Sequence, residues 1–305
     1  MTNEAAHYGR WFAVLNPISG RGRALRDRGR IEAALRARGL VCRLEVSTFA
    51  GHVLPLVRQA LDAGERNVLA IGGDGTMHEA ANAILQHPAA ASVTLAPLPV
   101  GTGNDWCRCL RIPSDYNAIA ARCARGRTER VDIGEARFPG ADQPRYFVNV
   151  AGAGFDTYVL ERLPSRRFGA LAYLAAVVRG LVGYRPRFMR LQTHADSSEG
   201  NAFVTFVCLG GYCGGGMHVA PTADLHDGAF DVVRVGDLGR LDVLVSLRRL
   251  FDGTIAAHPK VRTLRTAVLT LDAPEPLAVE ADGELIGNTP VTLSVLPGAL
   301  RVIAE

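Results

Sequence analysis

The sequence lacks the features that mark secreted, membrane-spanning and hydrolytic proteins. Its 305 residues contain no run of the roughly 18 apolar residues that a membrane-spanning helix needs. Residues 1–15 have no basic stretch followed by a long apolar one, so we expect no signal peptide. The HExxH motif is absent, as is the Ser, His and Asp order of common hydrolases. We therefore expect a cytoplasmic protein with a different chemistry.

Cysteine and lysine are both scarce. None of the 6 cysteines lies in a CxxC pair or at metal-ligand spacing with histidine, which is typical of reduced thiols in the cytosol. Lys260 is the single lysine, and a net charge of +4 is too small to indicate a nucleic-acid partner. The apolar stretch at 169–178 is flanked by arginines; it fits a helix at a membrane surface or a packed helix, and we favour the packed helix.

A glycine-rich turn between a strand and a helix is the centre of the pattern. Val68–Ile71 is a short apolar run typical of a buried parallel strand, and the apolar spacing from Met77 onward predicts a helix. Between them lies GGDGT at residues 72–76, where Thr76 and Glu79 have the spacing of a capping box. Glycines before a helix N-terminus favour a phosphate, and Asp74 suits one accompanied by Mg²⁺. A plain turn, with Asp74 as a turn residue, fits the same spacing.

A second loop of this kind follows the next predicted strand. Val93–Leu98 is apolar, and Pro99–Asp105 after it contains GTGND at residues 101–105. The carboxyl ends of parallel strands form the edge at which α/β sheets bind ligands. The two loops are therefore predicted to face one another across a crevice.

Together, GGDGT, HEAAN at 78–82 and GTGND resemble the catalytic domain of the diacylglycerol kinase and sphingosine kinase superfamily, in particular its bacterial soluble lipid kinase branch. GGDGT alone also resembles NAD kinases and phosphofructokinase-like enzymes. Two further segments match the family: NPISG at residues 16–20 and a TxxGH pattern at 48–52. The resemblance implies ATP and Mg²⁺ as cofactors. With the two glycine loops it predicts a nucleotide-binding set of Asn16, Ser19, Gly20, Thr48, Gly72, Gly73, Gly75, Thr76, Glu79, Gly101, Thr102, Gly103, Asn104 and Asp105.

The order of predicted elements divides the chain near residue 130. Strands and helices alternate from residue 11 to about 125, which predicts a doubly wound α/β domain over 1–130. Short alternating runs over 131–297 predict a mainly antiparallel β-sandwich, interrupted by helices around 168–182 and 240–252. The resemblance implies that a last strand, about 298–305, returns to the first domain.

Two acidic features lie in the second predicted domain. Asp224 and Asp227 precede a strand, and the resemblance implies a structural Mg²⁺ held by Asp227, with Asp224 and the Ala229 carbonyl as companions. An ordinary Asp-Gly turn is the alternative. Asp282-Gly283 between two apolar runs predicts a hairpin, so that Glu284 opens the returning strand. The resemblance implies that Glu284 is the general base, and without it Glu284 would be a solvated strand residue.

These features predict a lipid kinase that moves the γ-phosphate of ATP to a lipid hydroxyl, most simply of a diacylglycerol-type acceptor, with Asp74 and Glu284 as its catalytic residues. We expect it to be cytoplasmic and peripheral to the membrane, with a lipid substrate at the membrane surface. One alternative is an NAD kinase-like enzyme, and another is a nucleotide-binding regulator without catalysis. The sequence does not identify the lipid and leaves the oligomeric state, a homodimer included, open.

Overall fold

The computed structural model describes residues 10–162, 180 and 183–305, and the predicted helix around 168–182 lies largely outside them. The chain divides into two compact units. Unit 1 consists of Met1–Val131 and Gly298–Glu305, and unit 2 of Asp132–Pro297. The predicted combination of an α/β fold with antiparallel β-structure is confirmed. Among the residues described, no helix is both long and apolar enough to cross a bilayer.

The core of unit 1 is a parallel sheet. Its strands pair in the order β2-β1-β3-β4, and the last part of β17 adds to β4 through the pair Arg301–Thr94. Every residue of β3 and β4 is buried, because helices cover both faces of such a sheet and its strands become continuous apolar runs. The bounds are β1 (Arg10–Leu15), β2 (Val41–Val46), β3 (Asn67–Gly72), β4 (Thr94–Pro99), β5 (Thr128–Arg137) and β17 (Val291–Ile303).

The helices of unit 1 form two groups. The bounds are α1 (Ser19–Arg26), α2 (Arg28–Arg36), α3 (Val53–Asp62), α4 (Asp74–Leu85), α5 (Asp105–Cys109) and α6 (Tyr116–Arg125), with a 3₁₀ turn at Ala90–Ser92. In this set α3 packs on α4, and α2 packs on α6. The connection from β1 to β2 runs in one direction along the sheet, and those from β2 to β3 and β3 to β4 run in the other. Because such crossovers are right-handed, the two groups cover opposite faces.

The strand order reverses between β1 and β3. At this point the connections leave the carboxyl edge of the sheet toward opposite faces, which opens a crevice between the two loops. NPISG follows β1, and GGDGT follows β3. The topology therefore places two of the predicted motifs at the switch point of unit 1.

Unit 2 is built on antiparallel pairs. They follow the order β16-β15-β7-β9-β8-β14-β17, and β12 pairs with both β9 and β13. The long strand β9 is central because β7, β8 and β12 all pair with it. The bounds are β6 (Arg145–Phe147), β7 (Val150–Gly154), β8 (Arg187–Thr193), β9 (Ser197–Cys208), β10 (Tyr212–Cys213), β11 (Met217–His218), β12 (Phe230–Gly236), β13 (Val261–Thr266), β14 (Val268–Asp272), β15 (Ala278–Ala281), β16 (Glu284–Asn288), α7 (Phe155–Arg162) and α8 (Arg240–Asp252), with a 3₁₀ turn at Ile255–Ala257.

Two runs of strand-like sequence in unit 2 are each divided into two strands. The run over 261–271 is divided at Ala267, because β13 pairs with β12 whereas β14 pairs with β8 and β17. The run over 146–150 is divided as well, between β6 and β7. In this second case the N–H groups of residues 148–150 donate to the Asp282 carboxylate. A side chain has taken the place of a neighbouring strand as their acceptor.

Candidate functional site

Three loops of unit 1 meet at the carboxyl edge of its sheet. The Asn16 N–H donates to the Ile71 carbonyl at 3.0 Å, which joins the loop after β1 to the end of β3. The N–H groups of Val100 and Gly101 donate to the Gly72 carbonyl at 2.8 and 3.2 Å, which joins the loop after β4 to the same place. Residues from NPISG, GGDGT and GTGND therefore form one surface at the switch point, where α/β sheets bind ligands.

Glycine allows these loops to approach each other. A Cβ atom at Gly101 would lie 2.6 Å from the Cα of Gly73, and one at Gly20 would lie 2.2 Å from the Val100 carbonyl oxygen. Both distances are far shorter than real Cβ contacts, and backbone atoms have little room to move away. These two positions therefore require glycine for close approach of the backbone.

The backbone after β1 is left-handed over three residues. Gly20, Arg21 and Gly22 have φ values of +58°, +56° and +81°. Arg21 carries a side chain, so this conformation costs energy at that position, and strain of this kind concentrates at functional loops. Ser19, the first residue of α1, directly precedes the left-handed turn.

The helix after GGDGT begins earlier than predicted. We expected a start near Met77 with Thr76 and Glu79 as a capping box; instead α4 begins at Asp74, and its N-cap, Gly73, has extended backbone and no side-chain cap. The capping-box prediction is therefore wrong. Since no side chain covers the first turn of α4 as a cap, its N–H groups and the positive end of the helix dipole face the loop surface.

Thr76 and Glu79 each contact a different segment. The Thr76 Oγ1 accepts a hydrogen bond from the Asn16 side chain at 3.2 Å, so it ties α4 to the loop after β1. The Glu79 carboxylate accepts the N–H groups of Val53 and Leu54 at 3.0 and 3.4 Å. Glu79 thus caps α3, and this contact explains its position without a nucleotide.

Asp74 connects the two glycine loops. Its Oδ1 accepts the Trp106 N–H at 3.3 Å, across from the first turn of α5. The sequence did not indicate Trp106, because its contribution is a backbone N–H and its ring is fully buried. Asp74 itself is half-buried at the loop surface, where a carboxylate can meet a cation.

GTGND supplies one unsatisfied acceptor. Asn104 has a left-handed φ of +53° at the N-cap of α5, and its Nδ2 donates to the Gly101 carbonyl at 3.0 Å. Its Oδ1 is buried and has no hydrogen-bonding partner among the residues described. Asp105 is buried and pairs with Arg108 at 2.5 Å. Asn104 therefore has an acceptor to which a ligand could donate a hydrogen bond. Thr102 is exposed and Gly103 is half-buried.

Thr48 lies at the end of β2, on the same edge of the sheet. Its N–H donates to His52 Nδ1 at 3.1 Å, and its hydroxyl lies 3.1 Å from the same nitrogen. Because Nδ1 accepts from a backbone N–H, the imidazole carries its proton on Nε2 when neutral. Thr48 does not cap α3, whose first N–H groups are taken by Glu79. The role of Thr48 toward a nucleotide stays a prediction.

In unit 2 the predicted hairpin is confirmed. Asp282 and Gly283 have φ values of +51° and +80°, which is the type I′ geometry that Asp-Gly favours, and Glu284 opens β16. The Asp282 carboxylate accepts the N–H groups of Val148, Asn149 and Val150 at 2.9, 3.0 and 3.2 Å. The turn is thereby fixed to the segment before β7, and Glu284 is half-buried directly after it.

A pair of buried acids lies behind the hairpin. Glu280 is 6% exposed in β15, opposite Gly152 of β7, and its Oε2 accepts the Gly283 N–H at 2.7 Å. Asp156, in the first turn of α7, lies on the same side of Gly152, because a Cβ atom at Gly152 would meet oxygens of both carboxylates. Burial raises the pKa of Asp156 to about 6 and raises the pKa of Glu280 well above its usual range. Sequence reasoning missed this pair, although Glu280, Asp282 and Glu284 at alternate positions could have drawn attention to it.

The turn at residues 224–229 does not present a metal-binding set. The Asp224 carboxylate accepts from the His226 N–H at 3.1 Å, whereas Asp227 accepts from the Ala229 N–H at 3.0 Å and forms an ion pair with Arg265. In the part of the chain that the structure describes, no group of three or more His, Cys, Asp or Glu residues could hold a metal ion. The two carboxylates engage separate partners, and a guanidinium already neutralises Asp227. The residues as arranged do not fit the predicted Mg²⁺.

Comparison with known proteins identifies the family. Residues 10–136 match the diacylglycerol kinase catalytic domain, and residues 149–304 match the YegS C-terminal NAD kinase beta sandwich-like domain. A diacylglycerol kinase of Mycobacterium tuberculosis is 30% identical over 300 residues, which cover 97% of this chain and 95% of the relative. The chain belongs to the diacylglycerol kinase family.

A second relative and a solved structure are also similar to this chain. A protein of Shewanella frigidimarina named probable lipid kinase YegS-like is 27% identical over 278 residues, covering 88% of this chain and 86% of the relative. The crystal structure of a diacylglycerol kinase from Bacillus anthracis covers 97% of both chains with a TM-score of 0.74 at 20% identity, which supports the fold. The predicted resemblance to bacterial lipid kinases is thus confirmed.

Proposed function

We propose that this protein is an ATP-dependent lipid kinase that transfers the γ-phosphoryl group to a hydroxyl of a diacylglycerol-type lipid. The observation that supports it most is the meeting of GGDGT and GTGND at the uncapped N-terminus of α4 in unit 1. The relatives named diacylglycerol kinase and lipid kinase suggest the class of acceptor.

Unit 1 would bind ATP through its backbone. The Thr76 and Met77 N–H groups donate to the Gly73 carbonyl at 2.9 and 3.1 Å, so Gly73 and Gly75 are the loop residues whose N–H groups would meet phosphate. Asp74, held by Trp106, would bind the Mg²⁺ that accompanies ATP as part of the substrate. The Asn104 Oδ1 would accept a hydrogen bond from a ribose hydroxyl or a Mg²⁺-bound water.

Unit 2 would activate the acceptor through Glu284. In the transfer, the lipid hydroxyl oxygen forms a bond to the γ-phosphorus while the bond from that phosphorus to the β–γ bridging oxygen breaks, and ADP leaves. The hydroxyl proton passes to the Glu284 carboxylate. The rigid turn formed by Asp282 supports this role because a general base must be held within hydrogen-bonding distance of the proton it removes.

The test is phosphate transfer from γ-labelled ATP with Mg²⁺ to diacylglycerol in mixed micelles, with NAD as acceptor in a parallel tube. We expect label in the lipid phase, lost by roughly 100-fold or more in Asp74→Asn and Glu284→Gln. Matched controls are Asp62→Asn, an exposed residue of α3, and Glu275→Gln, an exposed residue of unit 2, which should leave turnover unchanged.

The alternatives give different results in the same experiment. Label on NAD would show an NAD kinase-like enzyme and contradict the lipid assignment. ATP binding without transfer to any lipid of a broad panel would favour a regulator without catalysis. Normal turnover of Asp74→Asn would show that Asp74 is not part of the catalytic machinery.

A further inference from the structure

The turn that carries Glu284 is held from inside by a second carboxylate. Glu280 Oε2 accepts the Gly283 N–H at 2.7 Å, and Gly283 directly precedes Glu284. Asp282 fixes the turn to residues 148–150, and Glu280 accepts the N–H of the residue directly before Glu284. The Glu280 carboxylate therefore helps to fix the turn that directly precedes Glu284.

Asp156 lies beside the Glu280 carboxylate. A Cβ atom at Gly152 would lie 2.8 Å from Asp156 Oδ2 and 3.6 Å from Glu280 Oε1, so both oxygens flank the same point above β7. Asp156 Oδ1 accepts the Thr157 N–H at 2.7 Å, while Oδ2 is buried with no hydrogen-bonding partner among the residues described. Two carboxylates are both acceptors, so they can bond to each other only if one carries a proton.

The surroundings favour that proton. Asp282 adds a negative charge near Glu280, and the buried hydroxyl of Tyr184, which has no hydrogen-bonding partner among the described residues, lies near Asp156. The Arg187 guanidinium interacts electrostatically with the Tyr184 hydroxyl. In the described part of the chain, however, no cationic side chain forms an ion pair with Asp156 or Glu280. Two ionised carboxylates in one buried site repel each other, so one of them stays protonated.

We propose that Asp156 and Glu280 share one proton and act as positioning residues that hold the Asp282–Glu284 turn, and through it the general base, in place. The inference rests on the proposed function of Glu284. It adds a proton-dependent support to the acceptor side, formed by residues that need not touch either substrate. Loss of the shared proton would leave two negative charges behind the turn and loosen it.

Kinetics of three variants test the proposal. Glu280→Gln keeps a carbonyl acceptor for the Gly283 N–H and offers an N–H donor to Asp156, so we expect kcat within about threefold of wild type. Glu280→Ala removes both contacts and should lower kcat by roughly 10- to 100-fold, with KM for ATP unchanged because unit 1 binds ATP. We expect wild-type kcat to fall at high pH as the shared proton is lost, whereas Asp156→Asn should keep most of the activity and show a weaker fall.

The contrary results are equally distinct. Equal losses in Glu280→Gln and Glu280→Ala would show that a carboxylate is needed for something other than positioning. Full activity of Glu280→Ala would show that the turn does not depend on Glu280. Either result would overturn the proposal.

A stability measurement separates this proposal from the proposed function. The pKa of Glu280 is raised well above 4.5, so the contribution of its proton to wild-type stability is full below about pH 4.5 and is lost as the pH rises through the raised pKa. Glu280→Gln lacks this loss. We expect its unfolding equilibrium constant in urea, relative to wild type, to fall by at least about tenfold between pH 4 and pH 7.

The phosphate-transfer assay and the stability measurement test the two proposals separately. If wild type transfers no phosphate to lipid but the pH-dependent stability difference is present, the proton-sharing pair stands, while its link to Glu284 and the proposed function fail. If lipid transfer is normal and the stability difference is the same at pH 4 and pH 7, the pair does not share a proton and this proposal fails alone.

Discussion

The loop surface of unit 1 and the hairpin of unit 2 are built in opposite ways. In unit 1, glycines bring main-chain atoms together, and the N-terminus of α4 supplies the electrostatics. In unit 2, the carboxylates of Asp282 and Glu280 accept backbone N–H groups and hold the turn. A site made from the main chain suits an anion, whereas one made from carboxylates suits a proton or a hydroxyl. The comparison predicts that substitutions of the close-packed glycines of unit 1 affect ATP binding, and that variants of the hairpin of unit 2 affect turnover.

The largest expected effect is that of Glu284→Gln. Loss of a general base lowers turnover by roughly 10²- to 10⁴-fold. The affinity for ATP should stay unchanged because the proposed phosphate-binding loops belong to unit 1. Titration calorimetry with MgATP, beside the labelled-phosphate assay, measures both quantities. A tenfold loss of ATP affinity in this variant would break the proposed division between the units, and Glu275→Gln serves as the control.

Gly101→Ala should have the opposite signature. The added Cβ would lie 2.6 Å from the Cα of Gly73, so the two glycine loops must separate. We expect ATP affinity to fall at least about tenfold and the free energy of unfolding to fall by about 1–3 kcal/mol. Gly29→Ala is the matched control: nothing lies within 4 Å of its Cβ position, and an alanine in α2 should stabilise the protein by about 0.5–1 kcal/mol. Equal effects of the two substitutions would show that the close approach is not needed.

The smallest expected effect concerns the acidic turn of unit 2. Because Arg265 pairs with both Asp227 and Asp231, Arg265→Ala should lower the free energy of unfolding by about 1 kcal/mol, the scale of a partly exposed ion pair. EDTA should leave the Tm of wild type unchanged in a thermal melt. A decrease of several degrees on adding EDTA, restored by Mg²⁺, would show that a cation binds here after all and that Arg265 moves away from it.

The sequence predicts the loop surface of unit 1 better than the surroundings of the hairpin of unit 2, and the reason is physical. Phosphate loops after buried strands depend on local features, namely apolar runs, glycines and a helix start, which are adjacent in the chain. The side-chain contacts of these loops were harder to predict. Glu79 fits a local capping box, but its carboxylate accepts N–H groups of α3 that lie 25 and 26 residues earlier in the chain. Tertiary contacts of this length leave no periodic pattern in a sequence.

The carboxylate pair of unit 2 shows the same limit more strongly. The Asp-Gly turn was predictable because two adjacent residues determine its geometry. The pairing of β15 with β7, which places Glu280 beside Asp156, joins residues more than a hundred positions apart. The ion pair of the acidic turn was not predictable for a related reason, because the guanidinium that pairs with Asp227 comes from β13, 38 residues later.

The path of β17 has a consequence for the order in which the protein folds. Its last residues lie beside β4 in unit 1, where Leu300 and Val302 are completely buried, although every other strand of that parallel sheet is made before residue 100. During synthesis, the edge of β4 therefore stays open while all of unit 2 is translated. A chain shortened after Pro297 would keep GGDGT and GTGND but expose this edge, a template for pairing with other chains. The amino-terminal unit is thus completed last.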